Sequence, residues 1–166
     1  MTLIMTAFCK DGICVGYDLG TQIKDDLIAP SRMEDGKRKV FDFANIPFLI
    51  CHHGIDKING KDWEEWCAEY KKSLRWEELK FKKCVEDFKE FIEAEVEAEL
   101  LNNDKYDAVG FILCGAMKKG VTFTAWELFW KKGCTVEMKR HIGLILSGDG
   151  KEYVPEILLK EAFNVN

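Results

Sequence analysis

The chain has 166 residues, 47% of them hydrophobic and 32% charged, with a net charge of −5. That length supports one domain with a buried core and is short for two, so residues 1–166 read as a single domain. The acidic balance excludes an ordinary nucleic-acid binder, and no run of eighteen apolar residues exists to span a membrane, so neither is expected as a partner.

No basic segment followed by a long apolar one opens the chain, so no signal peptide is expected. The seven cysteines are irregularly spaced and mostly sit inside apolar runs. They read as small buried hydrophobes in a reduced, cytoplasmic protein.

Residues 2–9 form an apolar run that predicts a strand. Lys10-Asp11-Gly12 is a tight turn, and residues 13–19 return as a second strand that carries Asp18 back towards the chain start. Residues 20–37, with Gly20, Pro30, Ser31 and Gly36, read as a surface loop. Residues 39–43 and 48–52 are two further strands around the turn Asn45-Ile46-Pro47, the second ending at Gly54.

The period then changes. Asp62 caps a helix that places Trp63, Trp66, Cys67 and Tyr70 on one face, with a break at Ser73 or Arg75. A second helix carries Phe81, Cys84, Val85, Phe88, Ile92 and Val96 at spacings of three and four and ends at 102–104. Its Glu-rich opposite face reads as a solvated surface. Strands resume at 108–114, a nearly continuous apolar run that predicts a central position covered on both faces. Two more follow at 121–130 and 135–146, the last interrupted near Arg140. Ser147-Gly148-Asp149-Gly150 turns, and Val154, Ile157, Leu158 and Ala162 outline a final short helix. Strands, two helices, strands and a helix define an α+β protein with antiparallel sheets.

Thr2 stands directly behind the initiator methionine. Removal of Met1 would leave a hydroxyl nucleophile and a free α-amine on one residue, and such an amine, with a pKa of about 7.7–8.0, can serve as general base near neutral pH. The plain alternative is an ordinary second residue. Cys51, His52 and His53 invite a metal reading, but neighbours on a strand point to opposite faces and rarely ligate together. Gly148-Asp149-Gly150 lacks the lysine of a phosphate-binding loop. No metal and no cofactor are expected.

Several short matches, in order, resemble the proteasome β-subunit and its bacterial ATP-dependent protease relative, within the N-terminal-nucleophile hydrolases. Met1-Thr2-Leu3-Ile4 resembles the family's exposed threonine and following strand. Asp18 lies at the family's separation from that threonine. Gly36-Lys37-Arg38-Lys39-Val40-Phe41 is similar to the segment supplying the family's lysine, with Lys39 at that position. Phe48–Cys51 running into His52-His53-Gly54 falls where the family donates an oxyanion amide, from Gly54 here, and Ser147-Gly148 falls where it has a serine between glycines.

The resemblance implies a four-layer αββα sandwich of antiparallel sheets. It implies a threonine hydrolase that cleaves a peptide or amide bond through an acyl-enzyme. Thr2 is then the nucleophile, Asp18 and Lys39 an ion pair beside it, Gly54 the oxyanion donor and Ser147 a support for the amine. Self-assembly into a homo-oligomer and a separate ATPase partner go with that family. Three features depart from the pattern. Two histidines precede Gly54, Leu146 replaces a glycine before the serine, and the family's later strands, one carrying a second aspartate, have no counterpart after the last helix. Fewer strands at the C-terminal end are therefore expected. The departures leave two other readings in play: an inactive scaffold of the same fold that binds a partner, and an acyl transferase that passes the acyl group to an amine.

Overall fold

The computed structural model describes residues 4–9, 12–17, 20–23, 32–35, 38–43, 48–74, 80–116, 123–141 and 145–147. The predicted helix at 154–162 lies outside them. Strands β1 (Ile4–Cys9) and β2 (Gly12–Tyr17) form the expected hairpin. Cys9 faces Gly12, so two residues close the turn. Alternation sets its faces: Ile4 and Thr6 are buried while Met5 between them is exposed.

The stretch read as a loop contains a second hairpin, β3 (Gly20–Ile23) and β4 (Arg32–Asp35). Among the described residues these two strands pair only with each other. Neither alternates apolar with polar residues, so the usual sign of a half-buried strand is missing. Strands β5 (Val40–Asp42) and β6 (Phe48–His53) follow as expected. A small hairpin, β7 (Lys57–Ile58) and β8 (Lys61–Asp62), then turns at Asn59-Gly60, with φ of 51° and 77°. Asn-Gly is the pair that tolerates positive φ at both central positions of a tight turn.

Helix α1 (Trp63–Ser73) starts at a capping box. The Asp62 carboxylate accepts from the Glu65 N–H at 3.0 Å, and the Glu65 carboxylate accepts from the Asp62 N–H at 3.0 Å. Helix α2 (Phe81–Asn102) buries Phe81, Cys84, Val85, Phe88, Ile92, Val96 and Leu100 along one stripe. Its exposed side carries i,i+4 pairs such as Lys82–Glu86 and Lys83–Asp87, which solvent screens. Strands β9 (Ala108–Ala116), β10 (Phe123–Lys131), β11 (Glu137–His141) and β12 (Ile145–Ser147) complete the described chain.

The stretch 135–146, read as one interrupted strand, serves two sheets. β11 is the charged, exposed edge of a five-stranded antiparallel sheet in the order β11-β10-β9-β6-β5. β12 joins a three-stranded sheet in the order β12-β1-β2. The composition explains the division. Glu137-Met138-Lys139-Arg140-His141 suits an edge that must discourage further pairing, whereas Ile145 and Ser147 are buried.

The two faces of the five-stranded sheet are covered differently. Helices α1 and α2 pack on one face through Phe41, Ile50, Phe111, Leu113 and Leu128. The three-stranded sheet covers the other, where Ile4 and Ile145 meet Cys51, Ile112, Cys114 and Ala125. β9 is buried from Val109 to Gly115, as its continuous apolar run predicted. The chain is thus mixed α and β, with antiparallel sheets and two helices among the described residues. None of its helices there is long and apolar enough to cross a membrane.

Candidate functional site

Cross-strand register decides which side chains meet between the two sheets. One row across the five-stranded sheet runs Val40, Cys51, Ile112, Glu127, Lys139. The row on one side of it holds His53, Gly110, Phe129 and Glu137, and the row on the other holds Cys114, Ala125 and His141. His53, Glu127 and His141 therefore stand on successive rows of the face turned towards the three-stranded sheet.

From that opposite sheet, Ser147 reaches in between them. Its Oγ lies 2.7 Å from His53 Nε2 and donates to Glu127 Oε1 at 3.2 Å. The second carboxylate oxygen of Glu127 lies 3.0 Å from His141 Nε2. The result is a continuous chain, His53–Ser147–Glu127–His141. Ser147 is 3% and His53 9% exposed, while the His141 and Glu127 side chains keep 29% and 21%. The chain therefore runs from the interior outwards. Burial of its inner polar groups is tolerable because each satisfies its neighbour.

A glycine makes room for the inner end. A Cβ on Gly110 would lie 2.1 Å from His53 Nε2, so the imidazole rests on bare backbone. Phe129 stacks on the ring at 6.1 Å and 29°. The adjacent His52 points the other way. Its ring stacks with Phe41 at 5.8 Å and meets Trp63 at 5.7 Å, on the helix side. It is a core histidine, as the alternation of a strand requires.

The residues singled out from the sequence fall as follows. Thr2 and Asp18 lie outside the described residues. Ile4, two positions after Thr2, is paired with both Ser147 and Tyr17, the residue before Asp18. Lys39 is 2% exposed and directly precedes β5. Its carbonyl accepts from the His52 N–H at 3.0 Å. Gly54 follows β6, is exposed, and has φ of 97°. The segment His52–Gly54 thus links two of the candidates: it bonds Lys39 through the His52 backbone and Ser147 through the His53 ring.

Glu127 and His141 were not singled out in the sequence. Glu127 carried a usable signal, since it is the one carboxylate within Phe123–Trp130 and shares the inward parity of Ala125 and Phe129. His141 carried none, because its role depends on the register of β11 with β10.

Cys51 and Cys67 are not nucleophile candidates. A hydrogen bond with Cys114 and burial hold the Cys51 thiol well above its ordinary range, and burial pushes Cys67 up to about 12. A reactive thiolate needs the opposite environment. Among the described residues, no group of three or more His, Cys, Asp and Glu is placed to hold a metal ion. No model of a known protein family matches the chain, and no curated protein matches it in sequence.

Proposed function

We propose that the chain is an N-terminal-threonine hydrolase of the proteasome-like class, built on a four-layer αββα sandwich, that cleaves a peptide or small amide in the cytoplasm. In this reading Thr2 Oγ bonds to the carbonyl carbon and its proton passes to the Thr2 α-amine. The C–N bond breaks, the leaving amine takes that proton, and water then hydrolyses the Thr2 ester. Lys39 and Asp18 set the electrostatics, the Gly54 N–H faces the oxyanion, and Ser147 supports the amine. A homo-oligomer fed by a separate ATPase is the assembly that belongs with this reading.

The observation that carries it is the row Tyr17–Ile4–Ser147. Tyr17, next to Asp18, and Ile4, two positions after Thr2, stand in line with Ser147, in a sheet that packs against another whose β5 directly follows a buried lysine. Two antiparallel sheets face to face, with helices on one outer side, support the sandwich.

Intact mass of the native protein tests the first requirement, loss of Met1. An epoxyketone or β-lactone probe should then add one equivalent at Thr2, and Thr2→Ala should abolish the adduct. Retention of Met1 would refute the proposal. Failure of several such probes, with Thr2→Ala indistinguishable from wild type, would favour an inactive scaffold of the same fold.

A further inference from the structure

The chain His53–Ser147–Glu127–His141 has a direction, and the direction can be deduced. Ser147 Oγ carries a single proton and has two close partners. Glu127 Oε1 lies 3.2 Å away and His53 Nε2 2.7 Å away. An ionised carboxylate only accepts. If the serine proton pointed at His53, the hydroxyl lone pairs would face the carboxylate oxygen with no hydrogen between them. The proton therefore lies towards Glu127, and the shorter contact must be donated by His53. The other carboxylate oxygen takes His141 Nε2 at 3.0 Å. Every donor in the chain then points towards Glu127.

This order is the reverse of a nucleophile–histidine–carboxylate triad. There the carboxylate stands behind the histidine and the hydroxyl donates to it. Here the carboxylate takes the hydroxyl directly, and the histidine is an N–H donor. Ser147 is thus not activated by His53; it is held still from both sides.

We propose that Glu127 is a positioning residue of the candidate site. It fixes the Ser147 hydroxyl as a donor to its carboxylate, and through Ser147 it fixes a proton on His53 Nε2. Ser147 is locked in one orientation, opposite Ile4 at the chain start, by a carboxylate from the facing sheet. The catalytic part of this inference rests on the threonine-hydrolase reading; the hydrogen-bond order does not. Gly110 belongs to the same device, since any side chain there would push the imidazole away from Ser147.

The direct test is the nitrogen chemical shifts of the imidazoles in full-length, histidine-labelled protein, assigned with His52→Gln, His53→Gln and His141→Gln. His53 is expected to carry a proton on Nε2. In Glu127→Leu, with the acceptor gone, the serine proton should turn to His53 and Nε2 should no longer carry a proton. A native His53 with bare Nε2, or a tautomer unchanged in Glu127→Leu, overturns the proposal. Gly110→Ala gives an independent check on a variant that leaves Glu127 in place: the His53 signals should lose their Ser147-dependent shift while His141 stays put.

The kinetic arm is the second-order rate of probe addition at Thr2. Glu127→Leu and Ser147→Ala are each expected to lower it at least tenfold, and the double variant no further, because both remove one contact. Multiplicative losses, or a rate in folded Glu127→Leu equal to wild type, would overturn the positioning role. If the wild type takes no probe at all, the hydrolase reading fails, and the tautomer measurement alone decides the hydrogen-bond order.

Discussion

Gly54→Ala separates what the fold needs at this position from what catalysis would need. Gly54 has φ of 97°. An L side chain in that half of conformational space costs about 1–2 kcal/mol. A Cβ would also sit 2.6 Å from the Ala108 carbonyl oxygen and 3.1 Å from Val109 Cα. Both atoms belong to β9, the middle strand of the five-stranded sheet, which pairs with β6 immediately before Gly54 through His53 and Gly110. Backbone pinned in that way yields little, and forced overpacking adds about 1–3 kcal/mol. The sum is about 2–5 kcal/mol, and for a chain of this size each kcal/mol lowers Tm by about 2–4 °C. A fall of about 7–14 °C follows from the middle of that range. Gly60 and Gly133 are internal controls: φ is 77° and 72°, with nothing within 4 Å of a built Cβ. Alanine there carries only the conformational cost, about 1–2 kcal/mol. Thermal unfolding of the three variants side by side is the assay. A Gly54→Ala midpoint within about 2 °C of the two controls would refute the steric half of the reasoning. Alanine keeps the N–H, so under the proposed function probe labelling corrected for folded fraction should stay near wild type.

Thr6 gives a change in the opposite direction. Its Oγ1 is fully buried with no hydrogen-bond partner among the described residues, so Thr6→Val should raise stability by about 1 kcal/mol in urea unfolding; a loss of stability would reveal a partner for the hydroxyl. Tyr70→Phe removes the bond from its hydroxyl to the Cys84 carbonyl at 2.6 Å, tying α1 to α2, and should cost about 1 kcal/mol with little change in m-value. Cys67 makes stability depend on alkaline pH. Burial lifts its thiol from 9.0 to about 12, so the unfolded chain loses this proton first. The contribution is complete below pH 9.0 and is lost as pH rises towards about 12; that rise corresponds to about 4 kcal/mol at most. Urea unfolding from pH 8 to 11 should show a shallower decline in Cys67→Ala than in wild type, and equal slopes would contradict the burial.

Local chemistry was legible where a residue announces a backbone event. Lys10-Asp11-Gly12 gave the first hairpin, Asp62 gave the start of α1, and the apolar run 108–114 gave a strand covered on both faces. Asn59-Gly60 is an equally clear turn signal, but β7 and β8 are two residues each, too short to show a period. β3 and β4 escaped because neither alternates apolar with polar residues along its four positions. The stretch 135–146 looked like one strand because local sequence does not state which sheet a strand joins. The candidate site was hardest for the same reason. Ser147 and His53 are 94 residues apart, and Glu127 meets His141 only because β10 and β11 pair in one register rather than the next. A slip of one residue would turn Glu127 towards the helices.

The adjacent histidines sit in two different environments, one between the sheets and one under the helices. On the helix side, His52 enters a continuous aromatic cluster. Trp63 meets Phe111 edge-on at 4.7 Å, Phe88 meets it at 5.3 Å and Trp130 at 5.8 Å. Such contacts add about 0.5–1.5 kcal/mol each beyond area and leave no room for a ligand. The opposite face carries Val40, Cys51, Gly110, Ile112, Cys114, Ala125 and Phe129, and beside them a serine, a glutamate and two histidines that satisfy one another. Replacing all four with apolar residues of similar volume would lose nothing in packing and would remove the requirement for mutual satisfaction. Under the proposed function, the choice goes with a positioning role beside the chain start.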